Sequence, residues 1–230
     1  MSTPRALVTG ARGMLGRSLI RALDGAGYDV IAHSRSTVTE ATGTWRSGDL
    51  TDPAVARELA TDLGPIDLLV NNAADQSTGR LRDLSPEDWS AMIGATLMSA
   101  VHLSVACAPA MPPGSAIVNV SSIEASSPFP GHAHYAAAKA ALESFTRSAA
   151  REWAPVGIRV NAVAPGLIAR PGLEQEWPDG FAWWTQSCPL GRAIEPDEVA
   201  EAVLFLARAA AISGIVMAVD GGWSGSTWRP

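Results

Sequence analysis

Residues 117–139 read IVNVSSIEASSPFPGHAHYAAAK: an apolar run, a loop rich in Ser, Pro and Gly, then a helix carrying Tyr135 with Lys139 one turn later. A continuous apolar run marks a strand buried on both faces of a parallel sheet. A strand followed by a loop and a helix is the repeating piece of an α/β sheet, so this stretch decides the fold class. It also holds reactive chemistry. The chain has sixteen Arg and a single Lys, Lys139, and only two Tyr, Tyr28 and Tyr135. An arginine keeps its proton, whereas an ammonium can sit close to a phenol and lower its pKa. Residues i and i+4 share one helix face, so both groups can point into one cleft. A surface lysine beside a core tyrosine is the plain alternative for the pair taken alone.

Towards the N-terminus, residues 5–9 (RALVT) form a short apolar run that ends in Gly10, Arg12, Gly13 and Gly16. Met14 and Leu15 open an apolar-periodic helix that stops at Gly25 and Gly27. Between a strand and a helix, glycines let backbone amides approach a diphosphate, although ordinary tight turns also use them. A second strand, 29–33, runs into Ser34, Arg35 and Ser36. NAD-binding units place an acidic residue here for the ribose 2′-hydroxyl. This chain has no carboxylate between Asp29 and Glu40. A 2′-phosphate suits Arg35, with Arg12 beside it, through charge-assisted hydrogen bonds. NADP(H) is therefore favoured over NAD(H), the alternative being a solvated loop arginine.

The remaining elements alternate. A strand at 44–49 precedes a helix at 53–63 with Asp52 near its cap, and the apolar run 66–70 (IDLLV) ends in Asn71, Asn72, Ala73 and Ala74. Ser85, Pro86, Glu87 and Asp88 open a long helix with an N-cap serine, proline at the first position and early acids. It runs to about 108, followed by a strand at 116–120, a helix at 135–154, a strand at 158–163 ending in Pro165-Gly166, a helix at 196–209 and a strand at 215–219. This predicts a doubly wound (Rossmann) α/β fold: a parallel sheet of about seven strands with helices on both faces, a single domain over 1–230. Ligands of such sheets sit outside the carboxyl ends of the strands, where these polar clusters fall.

Composition narrows the classes. A net charge of −6 and a pI near 5.2, with no run of Lys and Arg, argue against a nucleic-acid surface. Cys107 and Cys188 lie far apart without metal-ligand spacing and read as packed thiols of a reducing compartment, so a cytoplasmic protein is expected. No apolar h-region opens the chain and no apolar run reaches the roughly 18 residues of a span, so neither secretion nor a membrane is expected. His102, His132 and His134 show no metal-ligand geometry by sequence, so no metal is expected.

Taken together, these residues resemble the short-chain dehydrogenase/reductases over essentially the full length. The matching features are the glycine loop, Asp49-Leu50 after the third strand, Asn71-Asn72-Ala73-Ala74, and Ser122 thirteen residues before Tyr135. Tyr135-x-x-x-Lys139, Pro165-Gly166 and the closing Val219-Asp220-Gly221-Gly222 also match. The resemblance implies that Tyr135 exchanges a proton with a carbonyl oxygen as hydride moves to or from the nicotinamide. Lys139 would hold the nicotinamide ribose and draw the phenol towards working pH, and Ser122 would hydrogen-bond the substrate oxygen. Gly10, Arg12, Gly13, Met14, Leu15, Gly16, Ser34, Arg35, Asp49, Leu50, Asn71, Ala73, Pro165, Gly166 and Ile168 would line the cofactor, with Tyr135 and Lys139 at its nicotinamide end.

Three departures accompany the resemblance. The glycines are spaced Gly10-x-x-Gly13-x-x-Gly16, Thr96 stands where the family usually has an Asn that supports a proton relay, and Arg170 replaces a frequent Thr. The substrate lid would fall at about 167–194, where Trp177, Phe181, Trp183 and Trp184 point to an aromatic or apolar substrate or to a lid folded on its own subunit or on a partner. Glu124, Asp75 and Gln76 would face the cleft, and Trp223 and Trp228 would cover it or an interface. The implied activity is an NADP(H)-dependent carbonyl reductase acting on a small-molecule carbonyl or alcohol, assembled as a homodimer or homotetramer through the fourth and fifth helices. A pteridine-like reductase and a dinucleotide-binding regulator without turnover are the alternatives.

Overall fold

The computed structural model describes residues 3–38 and 43–225. Its strands are β1 (Arg5–Val8), β2 (Asp29–Ser34), β3 (Thr44–Ser47), β4 (Leu68–Asn71), β5 (Ala116–Val120), β6 (Arg159–Pro165) and β7 (Val216–Val219). All pair in parallel in the order β3-β2-β1-β4-β5-β6-β7. The order reverses direction between β1 and β4, the switch point where open α/β sheets bind ligands.

Side-chain alternation along the strands fills two cores. Leu7, Ile31, Leu69, Ile117 and Val160 face one side, packed by α2 (Pro53–Leu63), the α4 helix (Ser99–Cys107) and α5 (Ala133–Trp153). Ala6, Val8, Leu68, Val70, Val118 and Val163 face the other, packed by α1 (Met14–Gly25) and α8 (Pro196–Arg208). β4 and β5 are buried at every residue, as their unbroken apolar runs require.

The same alternation decides the fate of two asparagines. Asn71 and Asn119 are register partners on β4 and β5 and point into the α4–α5 side. Asn71 Nδ2 donates to Asn119 Oδ1 at 2.8 Å and to Ser104 Oγ at 2.9 Å, and Asn119 Nδ2 donates to Thr146 Oγ1 at 2.9 Å. The Asn71 side chain therefore faces away from the loop that follows β4. That side chain is buried in the core, one strand position short of the loop.

The long fourth helix is interrupted. α3 (Pro86–Ile93) starts in a reciprocal capping box between Ser85 and Asp88. It widens into a π turn at Gly94–Met98 before α4. By length and composition the helical stretch Pro86–Ala110 is the one described helix apolar enough to cross a membrane. One face of it packs into the core, with Met92, Thr96, Ala100, Leu103 and Cys107 buried.

The expected lid is also more regular than its sequence reads: α6 (Leu173–Glu176) and α7 (Pro178–Ser187) lie inside 167–194. Gly172 at φ +79° starts the first, and Pro178 opens the second at the position where its missing N–H costs nothing. Aromatic residues on every side of α7 hide its periodicity.

The glycine loop is built by close approach. Gly10 has φ +63°, and a Cβ on Gly16 would lie 2.4 Å from the Gly10 carbonyl, which its neighbours cannot relieve. A Cβ on Gly13 would meet that carbonyl only at 3.3 Å. Gly16→Ala is expected to destabilise the fold by about 1–3 kcal/mol and Gly13→Ala by clearly less, as read by urea denaturation. Equal losses would contradict this reading of the loop.

Candidate active site

The carboxyl ends of β1, β4 and β5 converge with the first turns of α1 and α5. Thr9 ties two of them: its amide donates to Val70 O at 3.0 Å, and its Oγ1 accepts the amides of Asn72 and Ala73 at 3.0 Å each. Asn72 Nδ2 then donates to Thr9 O at 2.9 Å and Gly10 O at 3.2 Å. Asn72, rather than Asn71, therefore braces the glycine loop, and strand alternation is the signal that separates them.

Helix α1 begins at Gly13 without a side-chain cap and without an acidic residue in its first turn. The first amides of a helix have no intrahelical acceptor, so Met14, Leu15 and Gly16 present donors at a positive helix end. An uncapped start of this kind fits a diphosphate. Beside it, Ala11 N donates to His33 O at 3.0 Å, which brings Arg12 against the end of β2. Arg12 Nη1 donates to Ser36 Oγ at 2.9 Å, and Arg35 is exposed in the same turn. Ser34 is buried and its hydroxyl donates to Ser36 O at 2.5 Å, so it shapes the turn while Ser36 lies with the two arginines. Asp49 is exposed at the end of β3, its carboxylate held below the usual range by the backbone and hydroxyl of Thr51. The Leu50 side chain is in the core, so only its backbone is available to a ligand.

Across the switch point, β5 ends at Val120 and α5 carries the titratable groups. Tyr135 is buried, and its hydroxyl hydrogen-bonds with Ser122 and Gln76. Lys139 lies behind it, its Nζ 5.5 Å from the ring centroid and donating to Val120 O at 2.6 Å. Burial first, and then the Glu124 carboxylate, push the phenol up to about 12. Burial pulls the ammonium down to about 7. The expectation that Lys139 would draw the phenol downwards is thus not met by the protein's own groups. Both side chains are taken out of water, and desolvation favours the neutral form of each.

Thr96 is fully buried in the π turn. Its Oγ1 accepts the Asp75 amide at 3.2 Å and donates to Met92 Sδ at 3.3 Å. With donor and acceptor both engaged, the hydroxyl does not reach the cleft as a proton relay would; it anchors the loop that carries Gln76.

The far wall is aromatic. Trp184 is 1% exposed and packs with Ile123 and Cys188, so it belongs to the core rather than to the cleft. A Cβ on Gly166 would meet its ring at 2.5 Å, which is why glycine follows Pro165. Trp183 is 45% exposed and stands edge-on to Phe129 at 5.5 Å and to Trp223 at 6.3 Å. Trp223 stacks on Trp184 at 6.0 Å. The lid is thereby folded on its own subunit, with Trp183 still presenting a face. Ile168 bridges to Ile194 across the lid base, and Arg170 pairs with Glu176 at 2.5 Å. Trp228 lies outside the described residues.

A family model described as enoyl-(acyl carrier protein) reductase matches residues 16–224. The chain belongs to the short-chain dehydrogenase/reductase family. It is 36% identical to the 3-oxoacyl-[acyl-carrier-protein] reductase FabG of Escherichia coli over 94% of this chain and 96% of that one. An uncharacterized short-chain type dehydrogenase/reductase of Sinorhizobium fredii is 42% identical over 69% of this chain, which spans only 30% of that protein's length. A crystal structure of gluconate 5-dehydrogenase from Burkholderia cenocepacia, in complex with NADP and tartrate, superposes with a TM-score of 0.90 at 28% identity, over 99% of this chain and 97% of that one.

Within this short-chain dehydrogenase/reductase the buried ammonium has a cost that can be measured. Lys139 has a folded pKa near 7 against 10.5 when unfolded. The unfolded chain therefore binds more protons between these values, and the penalty grows as pH falls from 10.5 towards 7. Lys139→Met is expected to raise the thermal midpoint at pH 7, with the gain shrinking as pH rises towards 10. A midpoint below wild type at pH 7 would contradict the buried placement.

Proposed function

We propose that this chain is an NADP(H)-dependent oxidoreductase that reduces a ketone or aldehyde to an alcohol, or runs the reverse, with Tyr135 as general acid and base. The observation that carries the reading is the Tyr135 hydroxyl, hydrogen-bonded to Ser122 and backed by Lys139 at the carboxyl end of β5. When bound, the nicotinamide supplies or accepts the hydride. The chain's part is to bind, orient and move the proton. Tyr135 Oη donates it to the substrate oxygen, and Ser122 Oγ donates a hydrogen bond to the same oxygen to share its developing charge. Lys139 would hold the nicotinamide ribose.

Gly10 and Gly13, with the free amides of Met14, Leu15 and Gly16, would cradle the diphosphate. Asp49 and the Leu50 backbone would edge the adenine, and the Ala73 backbone the adjoining ribose. Pro165, Gly166 and Ile168 would meet the carboxamide through their backbones. The preference for NADP(H) rests on Arg12 of the glycine loop meeting Ser36 beside Arg35 at the end of β2, with Asp49 on the next strand near enough to interact with the Arg35 charge, and NADP is the nucleotide named for the gluconate 5-dehydrogenase complex. The exposed face of Trp183 and its neighbour Phe129 support an apolar or aromatic portion on the substrate. Homo-oligomerisation is supported by Val105 on α4 and Phe205 on α8, each more than half exposed at 55% and 52%.

NADPH binding is read by fluorescence titration, followed by turnover against a panel of ketones. Tyr135→Phe should lower kcat by about a hundredfold or more while NADPH still binds; retained turnover would end the assignment. Arg35→Asp should cut NADPH affinity by about tenfold to a hundredfold and leave NADH binding intact. An unchanged preference would remove Arg35 as the phosphate clamp.

A further inference from the structure

One Glu–His pair lies beside the Tyr135 ring and has no part in the function just described. Glu124 lies in the short turn after Ser122 and is 8% exposed, and His132 caps the start of α5. His132 Nδ1 is 2.9 Å from both Glu124 carboxylate oxygens. The imidazole stands edge-on to the Tyr135 ring at 5.8 Å between centroids. The charged and titratable groups described around this phenol are Glu124 and His132 on the β5–α5 segment and Lys139 on α5. The loop after β4 offers only the neutral Gln76, since its neighbour Asp75 turns its carboxylate to the Ser77 amide at 2.9 Å. The lid contributes Trp184 and Cys188 to this side, packed on Ile123.

We propose that Glu124 and His132 form a positioning pair for the Tyr135 phenol, in which the carboxylate keeps the phenol in its proton-donating form and His132 governs how much of that charge it feels. A negative charge fixed beside a buried hydroxyl opposes its ionisation. While His132 carries a proton the pair is neutral overall. The carboxylate hydrogen bond raises the imidazole pKa, so this state persists above the usual histidine range. As pH rises further His132 releases its proton, and Glu124 then acts uncompensated.

This inference rests on the assignment of Tyr135 as the acid, but its test needs no turnover. With two tyrosines in the chain, carbon-13 at the tyrosine Cζ gives two NMR signals, and Tyr135→Phe assigns them. Glu124→Gln should bring the onset of Tyr135 ionisation down by about one pH unit. Glu124→Asp, which keeps the charge, should stay near wild type. His132→Gln should leave the alkaline onset in place, because His132 is already neutral there. In the pH profile of carbonyl reduction the inflection due to His132 should vanish in both Glu124→Gln and His132→Gln. An unmoved onset in folded Glu124→Gln, or equal shifts in Glu124→Gln and His132→Gln, would overturn the proposal in favour of a purely structural tie. A protein that reduces no carbonyl would instead overturn the functional reading and leave the titration standing.

Discussion

The hydrogen bond from Lys139 Nζ to the Val120 carbonyl, 2.6 Å long and wholly buried, is the constraint on which the site depends. It joins the last residue of β5 to the second turn of α5, and so fixes the angle at which the helix leaves the sheet. Tyr135, one turn earlier on the same face, has its ring set by that angle, and Ser122, two residues beyond Val120, meets its hydroxyl. A lysine buried this deeply is costly to a fold. The chain carries no other lysine, and it places this one where a neutral hydrophobe would stabilise more. That is the pattern of a group retained for chemistry rather than for packing.

Around this joint, the polar residues divide into those that hold and those that face the cleft. Thr9, Asn72 and Thr96 spend their hydrogen bonds on backbone groups of the loops. Asn71, Asn119, Ser104 and Thr146 form a buried chain between the sheet and α4–α5. Apart from Asn71 Oδ1, which is buried without a partner, these groups are engaged within the protein, so the loops at the switch point are held by the protein's own bonds. Tyr135 and Ser122, both buried, lie at the carboxyl end of β5, while Arg12 and Arg35 are exposed beside the end of β2. The π turn belongs to the first group: by widening α3 into α4 it brings Thr96 under Asp75.

The order of strands and helices was legible because unbroken apolar runs and proline or serine helix starts are local signals. Asp52 and Ser85 cap their helices as their positions predicted. The spacing of Ser122, Tyr135 and Lys139 was equally local, since one strand, one turn and one helix bring them together. What escaped the sequence depends on tertiary contact. Thr96 reads as a relay residue until its hydroxyl is seen to be engaged on both sides. Asn71 and Asn72 are indistinguishable in sequence until the sheet assigns one to the core. Trp183 and Trp184 are neighbours in the chain, yet one is a core residue and the other half exposed. The charge balance at Tyr135 escaped for the same reason, because it is set by burial first and then by Glu124, neither of which helix spacing reveals.

A chain with a single lysine permits a direct measurement of the joint itself. Carbon-13 at the lysine Cε gives one side-chain signal, whose titration reports the environment of Lys139 alone. The account predicts a midpoint near 7, set by burial of the ammonium against Val120 and Tyr135. A midpoint near 10.5, the value of a solvated lysine, would contradict it.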